Sequence, residues 1–158
     1  MPVESTSDLL AAVLAELVEP SVLIMAAAPA DYTPAERSAE KIKKSEGDLV
    51  ITMKRTPDIL KNVAEFRKSK GLVDIFVAGF AAETINTEEY AVGKLKSKSL
   101  DMICLNDVSK EGAGFNADTN IMTIFTSGGE KIDLPMQSKN LVAENILRQI
   151  EIGLSRRG

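Results

Sequence analysis

The stretch VLIMAAA, residues 22–28, indicates the fold more clearly than any other part of the chain. It is apolar at every position, whereas a strand with one wet face alternates between apolar and polar side chains. A continuous apolar run of this length is typical of a strand buried on both faces of a parallel sheet. The residues that follow it, 29–44, carry a proline, an aspartate and then three lysines within four positions. This change of character points to a functional segment at the end of the strand.

The rest of the chain alternates between helical and extended patterns. Ser7, Thr56 and Thr87 each precede a helical pattern and are predicted to be N-caps. The helix after Thr56 has proline at its first position and is expected to end before Gly71. The predicted helices span residues 7–18, 56–69, 87–98 and 138–152. The further predicted strands span residues 48–53, 74–80, 100–106, 120–126 and 131–134.

This alternation predicts an α/β fold, a three-layer αβα sandwich with a Rossmann-like, mostly parallel sheet. Ser127, Gly128 and Gly129 separate the last two strands, which predicts a C-terminal antiparallel hairpin. We expect a single domain over residues 1–158. A Rossmann-like sheet normally begins with a strand and a glycine-rich turn, but this sequence begins with a helix. We therefore expect the domain to be truncated at its N-terminus.

Composition excludes several kinds of chemistry. The sequence contains no histidine, which rules out imidazole metal sites and Ser-His or Cys-His nucleophile pairs. Its one cysteine, Cys104, excludes an internal disulfide and fits a reducing cytoplasm. The net charge of −4 offers no global field for nucleic acid or an anionic membrane. No apolar run approaches the ~18 residues of a membrane helix, and no signal peptide is visible, so a cytoplasmic protein is expected.

The first candidate site residues lie at the end of the strand 22–28. Ligands of open parallel sheets bind outside the carboxyl ends of the strands. The small side chains of Ala27 and Ala28 would let a planar ligand reach the main chain, whose C=O and N–H groups could pair with a base edge. Asp31 could accept a hydrogen bond from a ribose hydroxyl or hold Mg²⁺ through water. The alternative is that the alanines simply pack against a helix.

Two further strand ends carry unusual residues. Gly79 permits close approach to the backbone, Phe80 could cover a ring, and Glu83 precedes a helix. The alternative is that Phe80 belongs to the core and Glu83 is a solvated charge. Asn106 and Asp107 directly follow another buried strand, although such residues often form only Asx-turns.

The lysines form two sets. Lys41, Lys43 and Lys44 lie in a segment that is expected to be extended or mobile, whereas Lys94 and Lys98 are four apart and share one face of a helix. If both sets converge over the strand ends, they form a clamp of point charges for polyphosphate. If they do not, they are an ordinary solvated surface.

Other motifs are absent or incomplete. The sequence has neither a P-loop nor a G-x-G-x-x-G fingerprint. A glycine-rich loop is predicted at Gly112 and Gly114. Residues 116–120, NADTN, begin like a calcium loop, but Ile121 replaces the required glycine and Ser127 the required glutamate, so calcium is not expected there.

Six segments in order resemble one family: AAAPADY, EKIKK, TPDIL, GFAAET, KLKSKSLDMICLND and FNADTNIMTIF. The sequence is similar to the phosphopantothenate–cysteine ligases, the C-terminal half of the bacterial bifunctional phosphopantothenoylcysteine synthetase/decarboxylases, over residues 7–152. The resemblance implies use of CTP and Mg²⁺ in coenzyme A biosynthesis. The carboxylate of 4′-phosphopantothenate attacks the α-phosphate and releases pyrophosphate; the cysteine amine then attacks the acyl-cytidylate, giving the amide and CMP. FMN belongs to the decarboxylase domain of the parent chain, and a homodimer is expected.

The resemblance also implies roles for individual residues. Ala27, Ala28 and Phe80 would line the cytosine pocket, and Asp31 would lie in the nucleotide site and could hold the metal. Asn106 would be a binding residue or would support one. The lysines would contact the triphosphate, and Lys41, on a mobile segment, would supply catalytic charge after closure. The lysines of this set are Lys41, Lys94 and Lys98.

Two departures from the family pattern bear on activity. Pro29 stands where valine is expected before the Ala-Asp pair. The family's first strand and its N-x-S-S-G segment, which supplies the asparagine for the acyl-cytidylate, are expected upstream of Met1. Three hypotheses follow: a CTP-dependent ligase domain, a non-catalytic fragment that retains nucleotide binding, and an assembly module whose lysines are only solvated.

Overall fold

The computed structural model describes residues 1–36, 38–44, 46–108 and 118–157. The helices are α1 (Thr6–Glu16), α2 (Ile59–Lys70), α3 (Thr87–Ser97) and α4 (Lys139–Ser155). The strands are β1 (Ser21–Met25), β2 (Tyr32–Pro34), β3 (Met53–Arg55), β4 (Ile75–Glu83), β5 (Met102–Asp107), β6 (Thr119–Thr126) and β7 (Lys131–Ser138). In this part of the chain, every helix is too short or too polar to cross a bilayer.

Five strands form the main sheet, in the order β1-β4-β5-β6-β7. β1, β4 and β5 are parallel, and β6 is antiparallel to both of its neighbours, so β7 again runs in the direction of the first three. The helices α2 and α3 form the crossovers that parallel neighbours require. The carboxyl ends of β1, β4 and β5 therefore meet at one edge of the sheet. The predicted α/β fold with a mostly parallel sheet and a C-terminal hairpin is confirmed.

The sheet is covered on both faces. Side chains alternate along β4, so Ile75 and Val77 belong to one core and Phe76 and Ala78 to the other. The first core is closed by α1, α2 and α3, and the second by α4. β4 is thus buried on both faces, which explains its continuous apolar sequence. The result is the predicted three-layer arrangement.

The strand predicted at 22–28 is wrong in its end and in its burial. β1 ends at Met25, and Val22 and Ile24 are 42 % and 40 % exposed. Among the described strands, β1 pairs only with β4 and lies at the edge of the main sheet, so it is not covered on both faces as β4 is.

The predicted caps of α1 and α3 are wrong by one or two positions. α1 is capped by Ser5, whose hydroxyl accepts from the N–H of Asp8 at 3.1 Å. The Asp8 carboxylate accepts from the N–H of Ser5 at 3.0 Å, so two otherwise unpaired donors are satisfied, an arrangement that Ser7 lacks. α3 is preceded by Asn86 in the left-handed region (φ 47°), with no side-chain cap, rather than by Thr87.

The cap of α2 also differs from the prediction and lies two residues later. Asp58, not Thr56, accepts from the N–H of Lys61, at 3.1 Å. Thr56 instead donates its hydroxyl to the carbonyl of Ala30 at 2.6 Å, a contact 26 positions away that local pattern cannot reveal. The C-terminal end is as predicted, since Gly71 follows α2 with a φ of 68°.

The strand predicted at 48–53 is wrong. Only its last residue is extended in a sheet, where β3 pairs with β2 in a separate two-stranded antiparallel sheet. Leu49 and Val50 are 64 % and 88 % exposed. Apolar residues form a stable strand only when a partner strand supplies hydrogen bonds. On the N-terminal side of β3, the hydrogen bonding with the β2 segment ends with the bond from Ala35 N–H to Thr52 C=O. β2 itself was not predicted; it is only three residues long and ends in a proline, which strands tolerate at edges.

Candidate functional site

A cavity of about 550 Å³ lies where the carboxyl ends of β1 and β4 meet. It is lined by the loop between β1 and β2, by the end of β3 and by the first turn of α2. Phe80 of β4, Lys94 of α3 and Lys98, the C-cap residue of α3, complete the lining. The cavity thus collects residues from several elements and loops that are far apart in the sequence.

The loop between β1 and β2 is fixed by its hydrogen bonds to Thr56. Besides the bond from its hydroxyl to Ala30, the N–H of Thr56 donates to the carbonyl of Asp31 at 2.9 Å. In the next residue pair, Tyr32 faces Arg55 across the small sheet. These contacts tie the alanine-rich loop to the start of α2, so the two walls of the cavity keep a defined distance.

Both cavity lysines meet a carboxylate. The Lys94 Nζ lies 2.6 Å from Oε1 of Glu83, the last residue of β4. The Lys98 Nζ lies 3.0 Å from Oδ2 of Asp58, the cap of α2. Each lysine retains further N–H donors, because an ammonium group carries three. The lysines are therefore held in place and are still able to bind an anion.

Asp58 connects the lysine set with the helix start. Its partial burial opposes ionisation, but the hydrogen bond from the Lys61 N–H and the nearby Lys98 ammonium outweigh it, so its pKa lies below the usual aspartate value. Asp58 therefore stays ionised at neutral pH and holds Lys98 while it caps α2.

Two features of the cavity were missed by the sequence analysis. The first turn of α2 lines it, and a helix N-terminus presents N–H groups and positive potential to an anion. Arg55 also lines it, with its guanidinium carbon 5.9 Å from the centroid of the Tyr32 ring. Among the described residues, Arg55 has no carboxylate partner, in contrast to the two lysines. The strand predicted at 48–53 ended before Arg55, so the sequence analysis did not place this residue at the end of a strand.

The structure brings together five of the eight predicted site residues, which line the one cavity: Ala27, Asp31, Phe80, Lys94 and Lys98. Ala28 is exposed beside the cavity but does not line it. Lys41 is exposed within the segment 38–44 and does not line it either. What these residues bind stays a prediction.

Asn106 lies elsewhere. It is half-buried on β5, between Ala82 of β4 and Met122 of β6. Strand alternation puts it on the same side of the sheet as Cys104, which belongs to the core under α4. The cavity lysines come from α3, on the opposite side. Burial raises the pKa of the Cys104 thiol to about 12, which makes this cysteine unreactive.

The strand end GFAAET differs from expectation at two residues. A Cβ on Gly79 would lie 2.8 Å from Leu100 Cδ1 and 3.3 Å from Leu60 Cδ1, so this glycine admits core side chains and not a ligand. Glu83 is not a solvated charge but the partner of Lys94. Phe80 both packs against the core under α4 and lines the cavity, so the two alternatives for it hold together.

The cavity offers few metal ligands of its own. Asp31 and Asp58 are the acidic residues that line it. Across the described ranges, no group of three or more His, Cys, Asp or Glu side chains could hold a metal ion. Two carboxylates suit Mg²⁺ that is carried mainly by substrate phosphates, which is the usual arrangement for this ion. The predicted loop at Gly112 and Gly114 and the first two residues of NADTN lie outside the described residues, whereas Thr119 and Asn120 begin β6.

Comparison with known proteins places these features in a family. The domain family described as "DNA/pantothenate metabolism flavoprotein C-terminal domain" matches residues 1–153. The coenzyme A biosynthesis bifunctional protein CoaBC of Bacillus subtilis is 46 % identical over 150 residues, which cover 95 % of this chain and 36 % of that protein. The protein of the same name from Escherichia coli K12 is 43 % identical over 143 residues, 89 % of this chain and 34 % of the relative.

A solved structure agrees with the sequence relatives. The crystal structure of the C-terminal domain of a CoaBC protein superposes with a TM-score of 0.76 at 37 % identity, over 99 % of this chain and 66 % of that one. The chain spans about a third of the length of the curated relatives named above. The family match over nearly the whole chain shows that this protein belongs to the DNA/pantothenate metabolism flavoprotein C-terminal domain family.

Proposed function

We propose that this chain is the phosphopantothenate–cysteine ligase part of a CoaBC-type enzyme and that its cavity binds CTP. The observation that carries the proposal is the meeting of Ala27, Asp31, Phe80, Lys94 and Lys98 at the carboxyl edge of the sheet. Small side chains, an aromatic ring, a carboxylate and two ammonium groups are what a base, a ribose and a polyphosphate require. The names of the relatives, which refer to coenzyme A biosynthesis, support the same reaction.

The base and sugar would occupy the alanine-rich side of the cavity. Main-chain groups near Ala27 can approach a base edge closely, because no large side chain stands in between. An acceptor there favours the amine of cytosine over the carbonyl of uracil. Phe80 offers a ring face or edge for packing, and Asp31 offers an acceptor for a ribose hydroxyl.

The triphosphate would lie between α2 and α3. The first turn of α2 supplies N–H groups, Lys94 and Lys98 supply ammonium groups, and Arg55 supplies a planar guanidinium that matches phosphate geometry. Nucleotidyl transfer depends mainly on positioning and charge stabilisation, which these groups provide without histidine. Lys41 is not in the cavity, so a catalytic role for it requires that residues 38–44 move toward the phosphates.

Mg²⁺ fits the donor set, with Asp31 as the residue that would hold it. When bound to the nucleotide, the ion neutralises phosphate charge. In the first step, the carboxylate of 4′-phosphopantothenate forms a bond to the α-phosphorus while the bond to pyrophosphate breaks. In the second, the cysteine amine forms the amide bond and CMP leaves. Lys94, Lys98 and Arg55 would hold the leaving pyrophosphate.

Nucleotide preference tests the proposed binding site. With Mg²⁺ present, CTP is expected to raise the melting temperature of the chain more than ATP or UTP does. Uracil has a carbonyl where cytosine donates its amine to the main-chain acceptor, and adenine, which also has an amine, is a larger two-ring base. Equal shifts for the three nucleotides would remove the cytosine pocket. No shift with any of them would favour an assembly module with solvated lysines.

Pyrophosphate release tests catalysis separately from binding. The chain is mixed with CTP, Mg²⁺ and 4′-phosphopantothenate, with and without cysteine, and pyrophosphate is measured. Release supports the ligase; CTP binding without release supports a non-catalytic fragment. A homodimer, a cytoplasmic location and a decarboxylase domain with FMN in the parent chain remain parts of the proposal, and size-exclusion chromatography with light scattering tests the first.

A further inference from the structure

The ion pair between Lys94 and Glu83 is more constrained than an ordinary surface pair. Its Nζ–Oε1 distance is 2.6 Å, and the glutamate side chain is only 20 % exposed. The pair between Lys131 and Glu88 has the same distance, but the Glu88 side chain is 55 % exposed. These two pairs are therefore equal in length, but one lies beside the cavity and the other on the open surface.

Glu83 has a rigid base. It is the last residue of β4 and lies opposite Asp107 of β5 in the parallel ladder. Its carbonyl accepts from the N–H of Val108 at 3.2 Å, which continues the ladder beyond the strand. Lys94, by contrast, has four rotatable side-chain bonds and is 42 % exposed. Of the two partners, Glu83 is therefore the one that determines where the other lies.

We infer that Glu83 is a positioning residue: it holds the Lys94 ammonium at the cavity wall, ready for an anionic ligand. The inference rests on the proposed function, because it assigns to Glu83 the orientation of a lysine that is proposed to meet the triphosphate. Glu83 does not line the cavity and need not touch the ligand. One bond to Glu83 leaves two ammonium donors for phosphate.

Glu83 could affect nucleotide binding in two opposite ways: by ordering Lys94, or by repelling the phosphates with its own negative charge. An unrestrained lysine loses much side-chain freedom when it binds, so a lysine that is already ordered binds more tightly. A carboxylate near a phosphate weakens binding by like-charge repulsion. Glu83 is partly buried and accepts one hydrogen bond from Lys94, which favours the ordering of Lys94 over repulsion of the ligand. Neutralising Glu83 must therefore weaken nucleotide binding; if repulsion dominates, it must strengthen binding.

The first experiment measures the orientation of Lys94 without any nucleotide. The chain is acetylated with limiting acetic anhydride, and the rate at each lysine is read by mass spectrometry. E83A is expected to raise the rate at Lys94 about fivefold, since the ammonium loses its partner. Lys96, exposed on the same helix, is the internal reference and is expected to keep its rate. An unchanged rate at Lys94 overturns the inference.

The second experiment measures the dissociation constant of CTP with Mg²⁺ by calorimetry. E83A is expected to raise it about fivefold, and E83Q about twofold, because glutamine keeps an oxygen that can accept from Lys94. In the K94M background, E83A is expected to have no further effect, since Glu83 acts only through Lys94. A merely structural role would persist in that background.

E88Q and E88A are the matched controls, because their partner Lys131 lies away from the cavity at the same distance. They are expected to leave CTP binding unchanged. Tighter binding by E83A and E83Q, or an equal effect of E83A with and without Lys94, overturns the positioning role. If the wild-type chain binds no CTP, the proposed function fails and this inference fails with it. If the wild-type chain binds CTP and E83A has the same dissociation constant, the role of Glu83 is overturned while the proposed function stands.

Discussion

The two ends of the main sheet use their charged residues differently. At the amino end, the carboxylate of Asp101 binds several donors at once. At the carboxyl end, Lys94 and Lys98 each pair with one carboxylate beside an open cavity. Asp101 Oδ2 accepts from the N–H of Val77 at 2.7 Å and lies 3.6 Å from Arg67 Nη1, and its other oxygen pairs with Arg157. Its side chain is 13 % exposed. Asp101 and Arg157 line a cavity of about 190 Å³, compared with about 550 Å³ at the other end.

The amino-end cluster joins the end of the chain to the sheet. Arg157 also donates to the carbonyl of Ile75 at 3.1 Å and lies 5.0 Å above the ring of Phe76. These contacts fix the segment after α4 against the first residues of β4. The same chemistry of arginine, lysine and carboxylate therefore stabilises the fold where it is closed, and leaves donors for a ligand where it is open. The difference predicts that substitutions at the two ends affect different measurements.

The largest effect is expected from D101A. It leaves two arginines and the N–H of Val77 without their shared acceptor, and breaking such a partly buried pair costs about 3 kcal/mol. Chemical denaturation is expected to show this loss in the free energy of unfolding, while the dissociation constant of CTP stays as in the wild type under conditions where the variant is folded. A weakened CTP affinity in folded D101A would show that the two ends are not independent.

G153A is the next in size and also acts at the amino end. A Cβ at Gly153 of α4 would lie 2.6 Å from Cε2 of Phe76, a buried ring. Because neither the helix nor the ring can move freely, the overpacking is expected to cost about 2 kcal/mol. The free energy of unfolding measures it. G93A, at a helical position with nothing within 4 Å of the added Cβ, is the control and is not expected to destabilise.

K94M and K98M are expected to show the opposite pattern. Each removes one ammonium group from the cavity and is expected to weaken CTP binding about tenfold, the loss of roughly one charged hydrogen bond. The melting temperature is expected to change little. In each pair one partner, Lys94 or Asp58, is more than 40 % exposed, and such water-screened pairs contribute about 0–1 kcal/mol. K131M, which removes the surface pair with Glu88, is the control and should bind CTP normally. Unchanged binding in both cavity variants would contradict the phosphate site.

The smallest effect is a pH dependence at the carboxyl end. The folded-state pKa of Asp58 is lowered, so its contribution to stability is present above the unfolded-state value and is lost as the pH falls through the folded-state value. The difference in melting temperature between wild type and D58N is therefore expected to shrink below about pH 4. The side chain is 43 % exposed, so water screens the effect and keeps it small. A difference that grows with acid would contradict the sign.

The sequence by itself determined the fold class. The continuous apolar run at 74–80 reflects burial on both faces, as β4 shows, and the glycines at 128–129 depend only on local turn geometry. Gly71 marked the end of α2 for the same local reason. The run at 22–28 marked a strand correctly, but its burial on both faces was predicted wrongly, since β1 lies at the edge of the sheet. The resemblance to the ligases likewise followed from short segments read in order, and the family match confirms it.

Only the tertiary structure decided how the charges are paired. Glu83 and Lys94 are 11 positions apart, and the hydroxyl of Thr56 meets a carbonyl 26 positions away. Periodicity and capping rules describe interactions within about one helical turn or one strand. Contacts between elements depend on how helices and sheets pack. The same packing explains why β3 begins where the predicted strand ends and why Arg55 lines the cavity. For that reason the residues around the proposed ligand were predictable by type, but their partners were not.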